Sequence, residues 1–339
     1  MASRARGRVT QLLAASVVLV LAAAVIVAVM HRQEIRDHFS GLGYEPTPRV
    51  EQLREDLSLT DAGDRIFLAT RPTVDAGTEF NDRCAGVDHA EQGHVLGCYK
   101  EDRIHLFEVR DERIDGIVEV TAAHELLHAA YGRLGEGDRT ALAERLRREY
   151  ERLAEDDPEL RERMSVYEHL SDGAFANELH SVLGTEVREL PPWLEEHFGR
   201  WLSDRDALVD RFVEYHSVFV ALQDRADELQ EEMSALREEV ERRKADYDVA
   251  VDEFNAEAND FAARNGRAEF ADDPEEFERI RSELDARRGE LEEVLEGLQA
   301  DIDRYNALRE QLAALSEVSS ELEQQLNSEL APVTTRPDE

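Results

Sequence analysis

The chain has 339 residues, 42% of them apolar, enough for two folded units and at least one real core. Its 77 acidic residues against 40 basic ones give a formal charge of -37, which is expected to repel nucleic acid and anionic lipid headgroups and sets a nucleic-acid-binding function aside. Much of that charge lies in the C-terminal part, where Glu and Arg alternate with Leu as on solvated helix faces.

At the amino terminus, Arg4, Arg6 and Arg8 precede an apolar run from Leu12 to Met30 whose only polar member is Ser16. At ~1.5 Å rise per residue such a run nearly spans a ~30 Å hydrocarbon core. A cleaved signal peptide competes, but its apolar region is usually ~7–15 residues. The arginines favour a cytoplasmic tail (1–11), a transmembrane anchor (12–30) and everything after His31 on the far side. Either reading exports the remainder, as a single-pass membrane protein or a secreted one. In that setting Cys84 and Cys98, the only cysteines, are expected to form a disulfide.

Residues 31–48 read as a linker, since Gly41, Gly43, Pro46 and Pro48 interrupt regular structure. Val50–Leu59 has helical spacing, and Arg65–Thr70 is a short apolar run limited by Pro72. His94–Lys100 and Arg103–Arg110 look like a β hairpin turning at Glu101-Asp102. Asp115 and Gly116 then open a helix that runs to Leu134, with Ile117, Val120 and Leu127 on an apolar side. Thr140–Leu202 is helical in four or five pieces, and Asp172 is a candidate cap for the piece beginning near Ala174.

Beyond Asp204, apolar or small residues recur with alternating four-three spacing at Leu208, Phe212, Tyr215, Phe219, Leu222, Ala226 and Leu229. The pattern breaks at Asn265-Gly266 and Asp272-Asp273-Pro274 and resumes at Phe277. Two arms of matched length predict an antiparallel hairpin over 204–330, with an intermolecular coil as the alternative. The tail 331–339 reads as disordered. The fold class is therefore α+β: a mostly helical domain over 49–203 with a small antiparallel sheet, then a long antiparallel coiled-coil hairpin.

The chemistry sits at His124-Glu125-Leu126-Leu127-His128. Residues four apart share a helix face, so both imidazoles can reach one ion, while Glu125 is offset to act on water without being a ligand. The sequence here resembles the zincin superfamily of metallopeptidases, over roughly Arg103 to Leu183 and specifically only in this motif. The resemblance implies a zinc-dependent endopeptidase with Zn2+ as cofactor, peptides or proteins as substrate, Glu125 as general base, and Arg103–Arg110 as the sheet edge that holds substrate. The branch with a third histidine is not matched, because Gly132 falls one position late and Leu134 stands at the histidine position. This points to the gluzincin branch, whose third ligand is a glutamate on a later helix.

Glu178 and Glu168 compete for that role. Glu178 borders the apolar face of its helix, where a carboxylate needs a buried partner. Glu168 has an acid four positions later at Asp172, but its helix turns Leu160, Met164, Tyr167 and Leu170 inward and Glu168 outward. His180 is a third candidate, and His180, Tyr131 and Tyr167 are candidate oxyanion stabilisers. Val182 leaves no acid to orient the ligand histidines. The reading that follows is a membrane-anchored, extracytoplasmic metallopeptidase. The competing one is an envelope scaffold acting through a coiled-coil partner or self-association, with an inactive metallopeptidase-like module.

Overall fold

A computed structural model of the chain describes residues 29, 31–86 and 94–327. The expected anchor at 12–30 and the tail at 331–339 thus lie almost wholly outside the described residues. Among the described residues no helix is long and apolar enough to cross a membrane. The described residues up to Val218, with those from Glu323 onward, form one compact unit, the head; Phe219–Leu322 form a second.

The head is mostly helical. It opens with α1 (Arg32–Gly41), α2 (Pro48–Asp56) and α3 (Asp61–Ala69), followed by β1 (Thr73–Asp75) and α4 (Thr78–Cys84). Thr47 and Thr60 cap α2 and α3, their hydroxyls accepting the amides of Val50 and Gly63. Where a linker was expected over 31–48, the first part is a helix. The breakers Gly41 and Gly43 act only at its end, and its inner face carries polar groups that an apolar-pattern reading passes over. The Arg65–Thr70 run is the second half of α3 and its cap.

Strands β2 (Gly97–Lys100) and β3 (Arg103–Phe107) form the expected hairpin. Its two-residue turn holds Glu101 and Asp102 at φ 53° and 62°, the left-handed geometry that matches the twist of paired strands. The sheet, however, is mixed rather than antiparallel, with order β1-β3-β2 and β1 parallel to β3. Strand β1 has only three residues, too few to show an alternating pattern. The expectation that Arg103–Arg110 is the edge strand is therefore corrected: β3 is central, and β2 has a described neighbour on one side only. The Cys84–Cys98 disulfide joins α4 to β2.

Helix α5 (Ile117–Gly132) carries the histidine motif, and every residue from Ile117 to Tyr131 is buried. It is enclosed by the sheet, by α3 and by α8 (Asp172–Thr185). Before α8 come α6 (Glu136–Asp156) and α7 (Pro158–Ser165); after it comes α9 (Pro192–Phe198). Ser171, not Asp172, caps α8, accepting from the amide of Ala174; Asp172 is its first residue and pairs with Arg147 instead. At the end of α5, Arg133 gathers the surrounding pieces. Its guanidinium donates twice to Asp37 on α1 (3.0 and 2.9 Å), to the Ala129 carbonyl, and to Tyr99 on β2. Asp102 in the hairpin turn lies 2.9 Å away.

Helix α10 (Arg205–Gly266) and helix α11 (Pro274–Leu326) pair within the second unit. Leu229, Leu236 and Leu308 form a buried seam flanked by Met233, Val240, Tyr305, Leu312 and Leu315. Cross-helix partners run in opposite directions: Arg225 with Gln311, Glu232 with Arg304, Arg243 with Asp301, Glu253 and Glu257 with Arg287. This is an antiparallel hairpin within one chain, closed by Phe261, Phe270 and Phe277 packed at the turn.

Removing one partner of a buried ion pair leaves the other charge uncompensated, at a cost of about 3–5 kcal/mol. Because Asp102 still faces Arg133, Asp37→Ala is expected at the low end, ~3 kcal/mol. The readout is the melting transition followed through Trp193 and Trp201, both in the head. An unchanged midpoint would show that α1 is not held by this pair.

Candidate metal centre

Two helices supply the cluster. On α5, His124 and His128 stand one turn apart with ring centroids separated by 4.7 Å and planes inclined at 74°. From α8, Glu178 places Oε2 3.5 Å from Nε2 of each histidine. All three residues are buried, and their ligand-capable atoms lie within 4.8 Å of one another. Donors at ~2.0–2.1 Å from a tetrahedral ion stand about 3.3 Å apart, so the Glu178 oxygen is already near its ligand spacing. Burial holds the His124 pKa below the ordinary histidine range, against the opposing pull of Glu178. A neutral imidazole is the form that offers a lone pair to a metal.

Two glycines make the geometry attainable. A Cβ on Gly184 would stand 2.3 Å from Leu127 Cδ1 and 2.9 Å from the Phe198 ring, so α8 reaches α5 only because no side chain intervenes. A Cβ on Gly97 would stand 2.6 Å from Thr121 Cγ2 and 2.9 Å from Glu125 Oε1. The backbone of β2 therefore lies directly on the Glu125 side chain. Glu125 itself is fully buried.

Among the other candidates, Glu168 is exposed in the turn after α7 and does not join the cluster. His180 is also outside it: its imidazole turns to α9, with Nε2 2.9 Å from His197 Nε2, among the rings of Tyr131, Phe198 and Trp201. Tyr131 lines a cleft of about 470 Å³ together with His128, Tyr99, Arg139 and Asn177. Its phenol is raised above the ordinary range by burial, with Arg139 and Arg147 pulling the other way. Tyr167 is buried and does not line that cleft.

Sequence reasoning missed Gly97, His197 and Arg139. An isolated glycine inside a strand is a sign of close backbone approach, so Gly97 carried a usable signal. His197 and Arg139 carried none, being single polar residues on helices with no repeat or motif around them.

The His180–His197 pair has a fixed proton arrangement. Arg200 donates to His197 Nδ1 (2.9 Å), because a guanidinium has no acceptor. His197 in its neutral form must then donate through Nε2 to His180. Burial first, then Arg200 and Arg145, lower the His197 pKa from 6.5 to about 4. As pH falls the unfolded chain takes up this proton before the folded one, so the contribution is complete above about pH 6.5 and is lost towards pH 4. Acid destabilisation of the head between those values is expected to be shallower in His197→Gln than in the wild type, read as melting temperature against pH. Equal slopes would remove His197 from the account.

Overpacking Gly97→Ala is expected to cost about 1–3 kcal/mol of head stability, because the new methyl meets Thr121 and Glu125. Wild-type stability in that variant, measured by denaturant unfolding, would show that β2 does not press on the motif helix at Gly97. In comparisons with known proteins, the chain matches no family model, no curated protein and no solved structure.

Proposed function

We propose that the chain is a membrane-anchored zinc metallopeptidase of zincin type, with its head outside the cytoplasm, His124, His128 and Glu178 as metal ligands and Glu125 as general base. The observation that carries this reading is the convergence of two imidazoles and one carboxylate, all buried, from two different helices. Two nitrogens and one oxygen suit Zn2+ better than Ca2+ or Mg2+, which take oxygen ligands. Three protein donors also leave a position for chemistry, whereas a structural zinc site is normally closed by four.

Zinc, when bound, supplies Lewis acidity towards a peptide carbonyl and makes water more acidic. The remaining steps belong to the chain. Glu125, confined between α5 and the Gly97 backbone, takes a proton from the attacking water and returns it to the departing amine. Tyr131, protonated at neutral pH, is available in the cleft to donate to the carbonyl oxygen as negative charge develops. β2 offers main-chain groups to which an extended peptide can add as a further strand. The apolar run after Arg4, Arg6 and Arg8 supports an anchor with the tail in the cytoplasm. The Cys84–Cys98 bridge supports an oxidising compartment for the head.

The long paired helices α10 and α11 favour a second reading, an envelope scaffold that works through the hairpin. Metal and activity measurements on the full chain separate the two. Glu125→Gln is expected to retain zinc and to lose at least ~100-fold in cleavage of an unfolded protein substrate. Glu178→Ala is expected to lose zinc, and Glu168→Ala to retain it. Full activity in Glu125→Gln would overturn the mechanism; a wild-type chain with neither zinc nor cleavage would favour the scaffold.

A further inference from the structure

Helix α1 is amphipathic in the opposite sense to an ordinary surface helix. Its inner face carries Gln33, Asp37, Ser40 and Gly41. Gln33 donates to Asp37, Asp37 is clamped by Arg133, the Ser40 hydroxyl donates to the Ala69 carbonyl, and the Ser40 carbonyl accepts from Arg71. The outer face carries the stripe Ile35, Phe39 and Leu42, which are 42%, 66% and 57% exposed. These positions follow the i, i+4, i+7 spacing of one helix face. Three large apolar side chains on two turns are not needed to hold α1, since the polar side does that.

We propose that this stripe rests in the interfacial zone of a phospholipid bilayer, so that α1 lies along the membrane surface and seats the head there. Three observations select lipid as the occupant. The apolar run Leu12–Met30 ends two residues before α1 begins, so if that run is embedded α1 emerges at the membrane boundary. Arg32 and Arg36 are exposed beside the stripe and make no ion pair among the described residues, leaving both free for headgroup phosphates. Of the two acids on α1, Asp37 is turned inward and paired with Arg133, while Glu34 is exposed and hydrogen-bonded to His31 (3.0 Å). The exposed face of α1 thus carries two arginines against one glutamate although the whole chain is strongly acidic, as expected of an interfacial helix with apolar side chains at the headgroup–acyl boundary and cations among the phosphates.

The seating of α1 rests partly on the anchor proposed above, and the test keeps them apart. The full chain is reconstituted into phosphatidylcholine–phosphatidylglycerol vesicles with Phe39→Trp as reporter, Val166→Trp (Val166 is 57% exposed on the head) as control, and wild type to subtract the native tryptophans. Brominated acyl chains are expected to quench the added Phe39→Trp emission about twofold or more and to leave Val166→Trp unchanged, because an interfacial helix buries its apolar face ~5–10 Å deep. Equal, water-like behaviour of the two reporters would overturn the proposal. A blue-shifted Phe39→Trp that bromine does not reach would overturn it as well, and would mark a second copy of the chain as occupant. Alkaline carbonate extraction reads the anchor separately: release of a chain whose Phe39→Trp was quenched beforehand would refute the anchor and sustain α1 at the lipid surface.

Discussion

The constraint on which the head depends is the burial of α5 from Ile117 to Tyr131. A helix that is apolar all round can be enclosed at little cost, but this one takes His124, Glu125 and His128 into the interior with it. Each such group loses its hydration, and a buried carboxylate or imidazolium without compensation costs several kcal/mol. The fold answers that cost with specific neighbours. Glu178 faces both histidines, and Arg49 reaches Glu119 in the first turn of the helix (3.2 Å). A divalent cation among two imidazoles and a carboxylate would satisfy the same groups more fully than they satisfy one another.

Placing Glu178 and Glu125 takes close backbone approach as well as charge. Helix α8 approaches α5 through Gly184, and β2 approaches it through Gly97. These two contacts set where the Glu178 carboxylate stands and how far the Glu125 side chain can move. That confinement would serve the role proposed for Glu125, since a general base works only within hydrogen-bond reach of its proton. The neighbouring His180–His197–Arg200 chain is directed towards α9, which explains why a histidine two residues from Glu178 is not part of the cluster.

How much of this was legible in the sequence follows from the range of each signal. The hairpin of α10 and α11 announced itself through the four-three spacing and the breaks at Gly266 and Pro274, which are local patterns repeated many times. The motif helix and the β2–β3 hairpin were legible for the same reason, and the placing of Glu178 over Glu168 followed from helical phase. The three-residue strand β1 was not legible, because it is too short to show alternation, so nothing in the sequence opposed the edge position that the family resemblance implied for β3. Helix α1 was hidden by its inverted character: a reading that looks for apolar residues turned inward finds none, since here the inward residues are Gln33, Asp37 and Ser40.

That inversion couples α1 to the motif helix. Arg133 is the residue immediately after the helix that carries His124 and His128, and its strongest contact is the bidentate bond to Asp37 on α1. The same guanidinium holds Tyr99, whose ring lines the cleft, and pairs with Asp102 in the turn of the hairpin that contains Gly97. One buried cation therefore ties the surface helix, strand β2 and the C-terminal end of the motif helix to one another. A rigid connection of this kind means that whatever α1 rests on also sets the height and tilt of the cleft. Were α1 seated on a bilayer as proposed, the cleft would stand at a fixed distance from the lipid surface, and under the proposed peptidase function that distance, as well as the shape of the cleft, would select the peptide segments that reach it.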